Sequence, residues 1–371
     1  VNKTSSVVVV GAGIVGCAVA YELARRGVHV RVLDRREVGQ GATQASAGVL
    51  APFIEAFDRR QLLALTSRSL SLYDEFVARI VEDSGATIQY ARTGTLEVAL
   101  DDAGLQRLRV IQQACDERGI RAELLSAEDV YSVEPHLSKT LRGGLIIGSH
   151  GFVGASDLTA GLRRAAVTHG VSFETGSAAT RITRNGTGIR IETVGDDFAC
   201  DAVVMAAGSW SGRVEIDGAM PVPIRPVRGQ LIHLGWPTPA LTRVLWSPDC
   251  YLVPWSDGTV LVGATVEEVG FDERATVFGV RALIDAAQRV APQVSEASFL
   301  EARVGLRPAT PDELPVIGPS AVFPGLVYAC GHFRNGILLA PLTASLIGDL
   351  LVDQIQDELL DLTTPKRFGD C

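Results

Sequence analysis

The 371-residue sequence lacks the cysteine spacing of a disulfide framework or a zinc site. Its six cysteines (Cys17, Cys115, Cys200, Cys250, Cys330 and Cys371) are scattered with no C-x-x-C pair, a usage that suits a reducing compartment and sets the expectation of a cytoplasmic protein with no metal site. Positive charge is also short: 34 Lys and Arg against 43 Asp and Glu leave a net charge of −9, which argues against nucleic acid as the main partner. An anionic substrate must therefore be met by a local group of arginines. No signal-type segment precedes the first apolar run, and no uninterrupted apolar stretch approaches a membrane span, so no membrane partner is expected. What the chain has is length and 47% hydrophobic residues, enough for two domains.

The rest is organised around Val7-Val-Val-Val-Gly-Ala-Gly-Ile-Val-Gly16. Four β-branched residues without polar alternation read as a strand buried on both faces of a parallel sheet. Gly11, Gly13 and Gly16 supply G-x-G-x-x-G: a tight turn, close approach of the backbone to a pyrophosphate, and close packing of the next helix. That helix is expected over 14–26 with Gly27 ending it, its free N–H groups facing phosphates. A second strand, His29–Leu33, ends on Asp34, placed to accept a ribose hydroxyl. The context implies a dinucleotide, and NAD and FAD both use this device.

The small-residue run Gly39–Gly48 follows, able to converge backbone N–H groups on a ligand. Helical spacing returns over 59–83 and 101–118, with a strand at 93–100 between them. Another helix is expected over 152–170, with Asp157 as N-cap. Strands follow near 171–174, 179–183 and 189–193, and Asp201–Gly208 is a second apolar strand running into glycine. Gly208-Ser-Trp-Ser-Gly212 has Trp210 where a hydrolase elbow needs serine, which excludes a serine nucleophile. Residues 220–265 read as antiparallel β, with a hairpin at Ser256-Asp257-Gly258. A helix over 276–291 and a strand at 325–330 lead to a final helix from Ile337 to about Asp353, with Pro341 tolerated only in its first turn. Dinucleotide-type elements at the start, middle and end predict an α/β fold: a discontinuous Rossmann-like domain (1–82, 150–214, 302–371) with an interleaved α+β substrate domain (83–149, 215–301) containing a largely antiparallel sheet.

Taken together, Gly11–Gly16 with Asp34, the Ala45-Ser-Ala-Gly48 loop, Gly305-Leu-Arg-Pro308 and Gly331-His-Phe-Arg-Asn-Gly-Ile-Leu-Leu-Ala-Pro341 resemble the FAD-dependent amino-acid oxidases, within them the glycine oxidase branch of thiamine biosynthesis. The resemblance spans nearly the whole chain. It implies noncovalent FAD on a glutathione-reductase-type domain, held by Gly11, Gly13, Ile14, Val15, Gly16, Asp34, Arg35, Thr43, Gln44, Ser46, Ala47, Gly48, Ala179, Ala207, Gly208, Trp210, His332, Phe333, Arg334, Asn335, Gly336, Ile337 and Leu338. It implies oxidation of a small amine or α-amino acid to the imine, with O2 taken to H2O2 and the imine either hydrolysed or handed to a thiazole synthase. Arg307 falls where the substrate carboxylate is bound, Tyr251 where the pocket is lined, and Arg334 at the substrate and flavin edge. A planar guanidinium suits that carboxylate.

No side-chain base stands out; His332 beside glycines reads as a structural hydrogen-bonder, and direct hydride transfer needs only positioning and a neutral amine. Asp249 and Val266 fall at pocket-adjacent positions where a His and a Met are expected, and Trp255 replaces a basic residue further out, which unsettles a preference for glycine. No cysteine near Gly305-Leu306-Arg307 matches the covalent flavin site of sarcosine oxidases. A quinone-linked D-amino-acid dehydrogenase, an N-methyl amino acid oxidase and a non-catalytic dinucleotide module remain as alternatives. A symmetric homo-oligomer is the default expectation.

Overall fold

Val7 and Val9 point to one side of their strand and Val8 and Val10 to the other, and both sides are buried. A computed structural model, which describes residues 5–186, 188–237 and 240–371, shows why. The strand Ser6–Val10 lies inside a six-stranded sheet of spatial order 316–319, 326–330, 202–205, 6–10, 29–34, 172–175, parallel except for the 316–319 edge. One face carries Val7 and Val9 against the helices Ile14–Arg25, Ala155–Thr168 and Gly336–Gly348. The other face carries Val8 and Val10 against a four-stranded sheet of order 197–200, 188–193, 179–185, 215–216. An unbroken apolar run is what a strand between two covered faces requires.

The second large sheet has eight strands in the order 298–309, 225–235, 259–263, 251–254, 244–246, 95–99, 143–147, 122–126. It is antiparallel apart from the pairing of 244–246 with 95–99. The helices Asp102–Asp116 and Val277–Val290 pack against it. A small three-stranded sheet (49–50, 151–153, 90–91) packs Phe152 with Leu231, Val244, Val253 and Leu261 of the large sheet. The mixed α/β architecture with its antiparallel sheet is as expected.

Several local expectations are corrected. The 59–83 stripe divides at Leu72 into helices Arg60–Ser71 and Tyr73–Ser84. The helix after residue 150 begins at Ala155 behind the strand Gly151–Val153, so Asp157 lies in its first turn instead of capping it. Pro341 is the sixth residue of Gly336–Gly348, beyond the first turn. The missing N–H at Pro341 frees the Ile337 carbonyl, and the Tyr73 hydroxyl donates to it at 2.7 Å. Ser69 repairs the next step, its hydroxyl donating to Leu338 O (2.6 Å) and accepting from Leu342 N (3.3 Å). The run Gly336–Asp353 is also long and apolar enough to cross a membrane, with mean hydropathy 1.6, against the expectation of no such stretch. It packs on the helices Ile14–Arg25 and Arg60–Ser71, and in Gly336–Gly348 only Gly336 and Ser345 escape full burial, as an all-apolar core helix does.

Candidate active site

A cavity of about 370 Å³ runs from the N-terminus of the helix Ile14–Arg25 to the eight-stranded sheet. At its first end, Gly11 has φ +111° and a Cβ there would stand 2.3 Å from the Ala206 carbonyl oxygen. Gly16 acts at a different place. A Cβ on it would fall 1.8 Å from Gly11 O, so it sets the contact between helix and turn and lies outside the cavity wall. The Ile14 N–H is already taken by Thr43 Oγ1 (3.1 Å), which leaves the remaining N–H groups of that turn to an anion. Asp34 accepts from the amides of Ala12 (2.7 Å) and Arg36 (2.8 Å), and burial still pushes its carboxyl upward. A carboxylate has lone pairs left for a hydroxyl.

Arg35 and Arg36 stand 4.2 and 4.8 Å over the Trp210 ring. Phe271 packs on the same ring (5.6 Å), and Glu273 of its segment forms a forked ion pair with Arg36 (2.9 and 2.5 Å). Gly41 and Gly208 line the cavity with positive φ, and a Cβ on either would meet no protein atom within 4 Å. Both side-chain positions are thus kept clear beside the void. Backbone N–H groups, Asp34 and this clearance together fit a dinucleotide.

At the far end the strands place Arg307 and Tyr251 on the cavity wall. Arg307 pairs with Val227 across the edge of the sheet, and Tyr251 with Gly263. The guanidinium lies over Gly229, where a Cβ would stand 2.4 Å from it, and donates to Thr265 O (2.9 Å). Gly263 does the same for Tyr251, whose hydroxyl would be 2.4 Å from a Cβ there. Tyr251 stacks on Trp246 (5.1 Å, 23°). Burial pulls the Arg307 guanidinium down and pushes the Tyr251 phenol up. Arg334 reaches the same cavity from the turn before the final helix, where Phe333 has φ +49° and donates its N–H to Pro308 O (2.9 Å). Backbone held in this region is costly for a non-glycine residue, and it aims Arg334.

Of the residues singled out from sequence, Gly11, Gly13, Ile14, Val15, Asp34, Arg35, Thr43, Ser46, Ala47, Gly48, Ala179, Ala207, Gly208, Trp210, His332, Phe333, Gly336 and Ile337 also line this cavity, with Tyr251, Arg307 and Arg334. Others do not. Gln44 is exposed, Asn335 is buried at the head of the final helix, and Leu338 packs into the core. Asp249 is on the surface in an ion pair with Arg289 (2.7 Å), and Val266 is half exposed; neither touches the cavity. His332 is buried with its Nε2 on Thr343 Oγ1 (3.0 Å), and burial pulls the imidazole down to about 3, so it is neutral.

Trp246 and Glu55 are among the cavity residues that were not singled out from sequence. Trp246 left no signal. Glu55 did: it is the lone charge in Ala51-Pro-Phe-Ile-Glu-Ala56, directly after the small-residue loop. The arrangement joins a dinucleotide cleft to a compact chamber with two guanidiniums, a phenol and a carboxylate.

Comparison with known proteins agrees with this geometry. The family model described as "FAD dependent oxidoreductase" (DAO) matches residues 6–350. The bifunctional protein ThiO/ThiG of Nostoc sp. is 34% identical over 362 residues, covering 96% of this chain; the chain spans 54% of that relative's length. The glycine oxidase of Geobacillus kaustophilus is 32% identical over 357 residues, 93% of this chain and 92% of the relative. The crystal structure of glycine oxidase from Geobacillus kaustophilus superposes with a TM-score of 0.94 at 30% identity, covering 98% of this chain and 99% of that one. Iminodiacetate oxidase (IdaA) from Chelativorans sp. BNC1 gives a TM-score of 0.89 at 27% identity, covering 97% and 98%. The chain belongs to the DAO family of FAD-dependent oxidoreductases, and FAD is the cofactor its cleft fits.

Proposed function

We propose that the chain is an oxidase of glycine and other small α-amino acids, giving the imine and then the oxo acid and ammonia, with O2 taken to H2O2. The observation that carries it is Arg307 beside Tyr251 at the end of the cavity that begins at the G-x-G-x-x-G turn. Bound FAD supplies the hydride acceptor and the route for electrons to O2. Arg307, with Nη1 committed to Thr265 O and Arg228 O, offers its remaining N–H groups to a carboxylate, and the Tyr251 hydroxyl joins it from the strand 251–254. Fixing the carboxylate orients the Cα–H, and positioning of this kind is worth several kcal/mol, about 7–11 in well-aligned intramolecular cases. Trp246, Leu306 and Pro308 give the chamber apolar wall and keep water from the reacting carbon.

No side chain is assigned as base. The neutral, hydrogen-bonded His332 is structural. The likeness to a ThiO/ThiG protein supports passing the imine to a thiazole synthase, and the free, buried thiols support a cytoplasmic setting. A second reading, N-substituted glycines as substrates, is favoured by the likeness to iminodiacetate oxidase.

The test is the visible spectrum of the FAD-loaded protein, recorded anaerobically with glycine. Bleaching, followed by recovery with stoichiometric peroxide on admitting air, supports the oxidase. Bleaching that recovers only with a quinone points to a dehydrogenase, and a spectrum that no amine alters overturns the proposal.

A further inference from the structure

Glu55 ends a helix of a single turn, Pro52–Glu55, and lines the substrate end of the cavity. Such a helix does not stand on its own hydrogen bonds. Its N-cap, Ala51, has no side chain to accept from the first turn, and Pro52 has no N–H. The orphan donor is the N–H of Phe53, and it is met from elsewhere: His150 Nε2 accepts it at 3.3 Å. The other ring nitrogen, Nδ1, is then the protonated one and donates to Thr95 Oγ1 (2.8 Å), on the strand 95–99 of the large sheet. The Phe53 and His150 rings stack at 5.4 Å and 13°, and His150 is fully buried. His150 thus caps the helix in trans and ties the segment carrying Glu55 to the sheet that carries Tyr251 and Arg307.

Burial pushes the Glu55 carboxyl upward, and its charged neighbours, the guanidiniums of Arg334 and Arg307, oppose that and favour the carboxylate. Two guanidiniums and one carboxylate give the chamber a net charge of about +1 in its ionised state. One substrate carboxylate and one neutral amine cancel that charge. A second substrate carboxylate overshoots it and meets Glu55. The amine side of a bound amino acid, with Arg307 holding its carboxylate, is what a remaining acceptor on the wall can serve.

We propose that Glu55 is the specificity-determining residue of the substrate chamber: it accepts a hydrogen bond from the substrate amine and selects monocarboxylic over dicarboxylic amines, with His150 as its positioning residue. This deepens the amino-acid oxidase reading and rests on it.

The experiment compares the FAD-loaded wild type with E55Q, using glycine and iminodiacetate as substrates (or iminodiacetate as a competitive inhibitor where turnover is absent). Glycolate, which has the carboxylate but no amine, is titrated against the visible flavin spectrum. Loss of the carboxylate is expected to lower the glycine-to-iminodiacetate ratio of kcat/KM, or of apparent affinity, by at least tenfold, through KM more than kcat, while glycolate still perturbs the flavin spectrum, which shows the Arg307 clamp intact. A ratio unchanged within twofold overturns the proposal. Failure of the underlying reading looks different: the wild type then responds spectrally to neither glycine nor glycolate. For His150, H150L should reproduce the altered ratio and H150Q, which retains an acceptor, should restore it. T95V, which removes only the outer partner, should shift the ratio in the same direction as H150L. Wild-type ratios in H150L and T95V would remove His150 from the proposal.

Discussion

The Tyr73 hydroxyl donates to the Ile337 carbonyl at 2.7 Å, across 264 residues, and so closes the gap that Pro341 opens in the central helix of the core. Both partners are buried. A tyrosine in one helix therefore completes the backbone of another at Ile337, a residue that lines the cavity.

Tyr73→Phe should leave that carbonyl without a partner in a dry environment. An unsatisfied buried acceptor costs about 1–3 kcal/mol. Urea unfolding of the FAD-loaded variant should show a lower midpoint at unchanged m-value, and a midpoint equal to wild type would mean that water or another group meets the carbonyl.

Gly229→Ala should act on catalysis and not on the fold. The new Cβ would lie 2.4 Å from the Arg307 guanidinium, the far end of a flexible side chain that can swing away. Displacing a carboxylate clamp from a buried site costs about 2–5 kcal/mol when the partner is truncated outright, so a tenfold or greater rise in KM for the amino acid is expected here. Arg307→Ala should be more severe still. FAD content and melting temperature of Gly229→Ala should match wild type; normal KM with the alanine present would show that the guanidinium does not need to lie over Gly229.

Acid stability should carry the mark of two imidazoles. His150 and His332 are pulled from 6.5 down to about 3 by burial, with the Arg92 guanidinium adding to the effect at His150. Below their unfolded value the unfolded chain takes up protons that the folded chain refuses. Their contribution is therefore complete above about pH 6.5 and lost as pH falls toward 3, at about 1.4 kcal/mol per pH unit for each group. His332→Gln should flatten the slope of unfolding free energy between pH 4 and 6.5 by about one proton. An identical slope would place His332 among ordinary, hydrated histidines.

Gly16→Ala should abolish FAD retention. The added methyl would stand 1.8 Å from the Gly11 carbonyl oxygen, a backbone atom held between strand and helix, so the phosphate turn itself must move. Gel filtration followed by a flavin spectrum checks this, with Gly41→Ala for comparison, where a Cβ meets no protein atom and the φ of +121° is the only strain within the protein.

Legibility in the sequence followed the range of the interactions. Gly11, Gly13, Gly16 and Asp34 could be read because the whole device is 28 residues of contiguous strand, turn, helix and strand. Arg307, Tyr251 and Arg334 came from motifs, and two strands and the turn before the final helix bring all three to one cavity. Glu55 left only the trace of a lone charge in an apolar run, because its helix is completed by an imidazole 97 residues beyond Phe53. Asp249 and Val266 were misplaced by local geometry: Ser247 and Cys250 close a turn that carries Asp249 outward before the strand begins at Tyr251, and Val266 follows a strand that has already ended at Gly263. Pro341 was misjudged for the same reason, since the hydroxyls that rescue its helix come from Ser69 and Tyr73.

The six-stranded sheet also has a consequence for synthesis on the ribosome. The strand Ser6–Val10 emerges before the other strands of its sheet, yet its neighbours are 29–34 and 202–205, and the next strand inward from the edge is 326–330. Non-local pairing of this kind is slow and leaves apolar edges exposed while it waits. The nascent chain therefore holds Val7–Val10, an unbroken apolar segment, in an unfinished sheet until residues near 330 have been translated. Chaperone dependence and expression temperature, and not the strength of any one contact, should then decide how much of this protein reaches the cofactor.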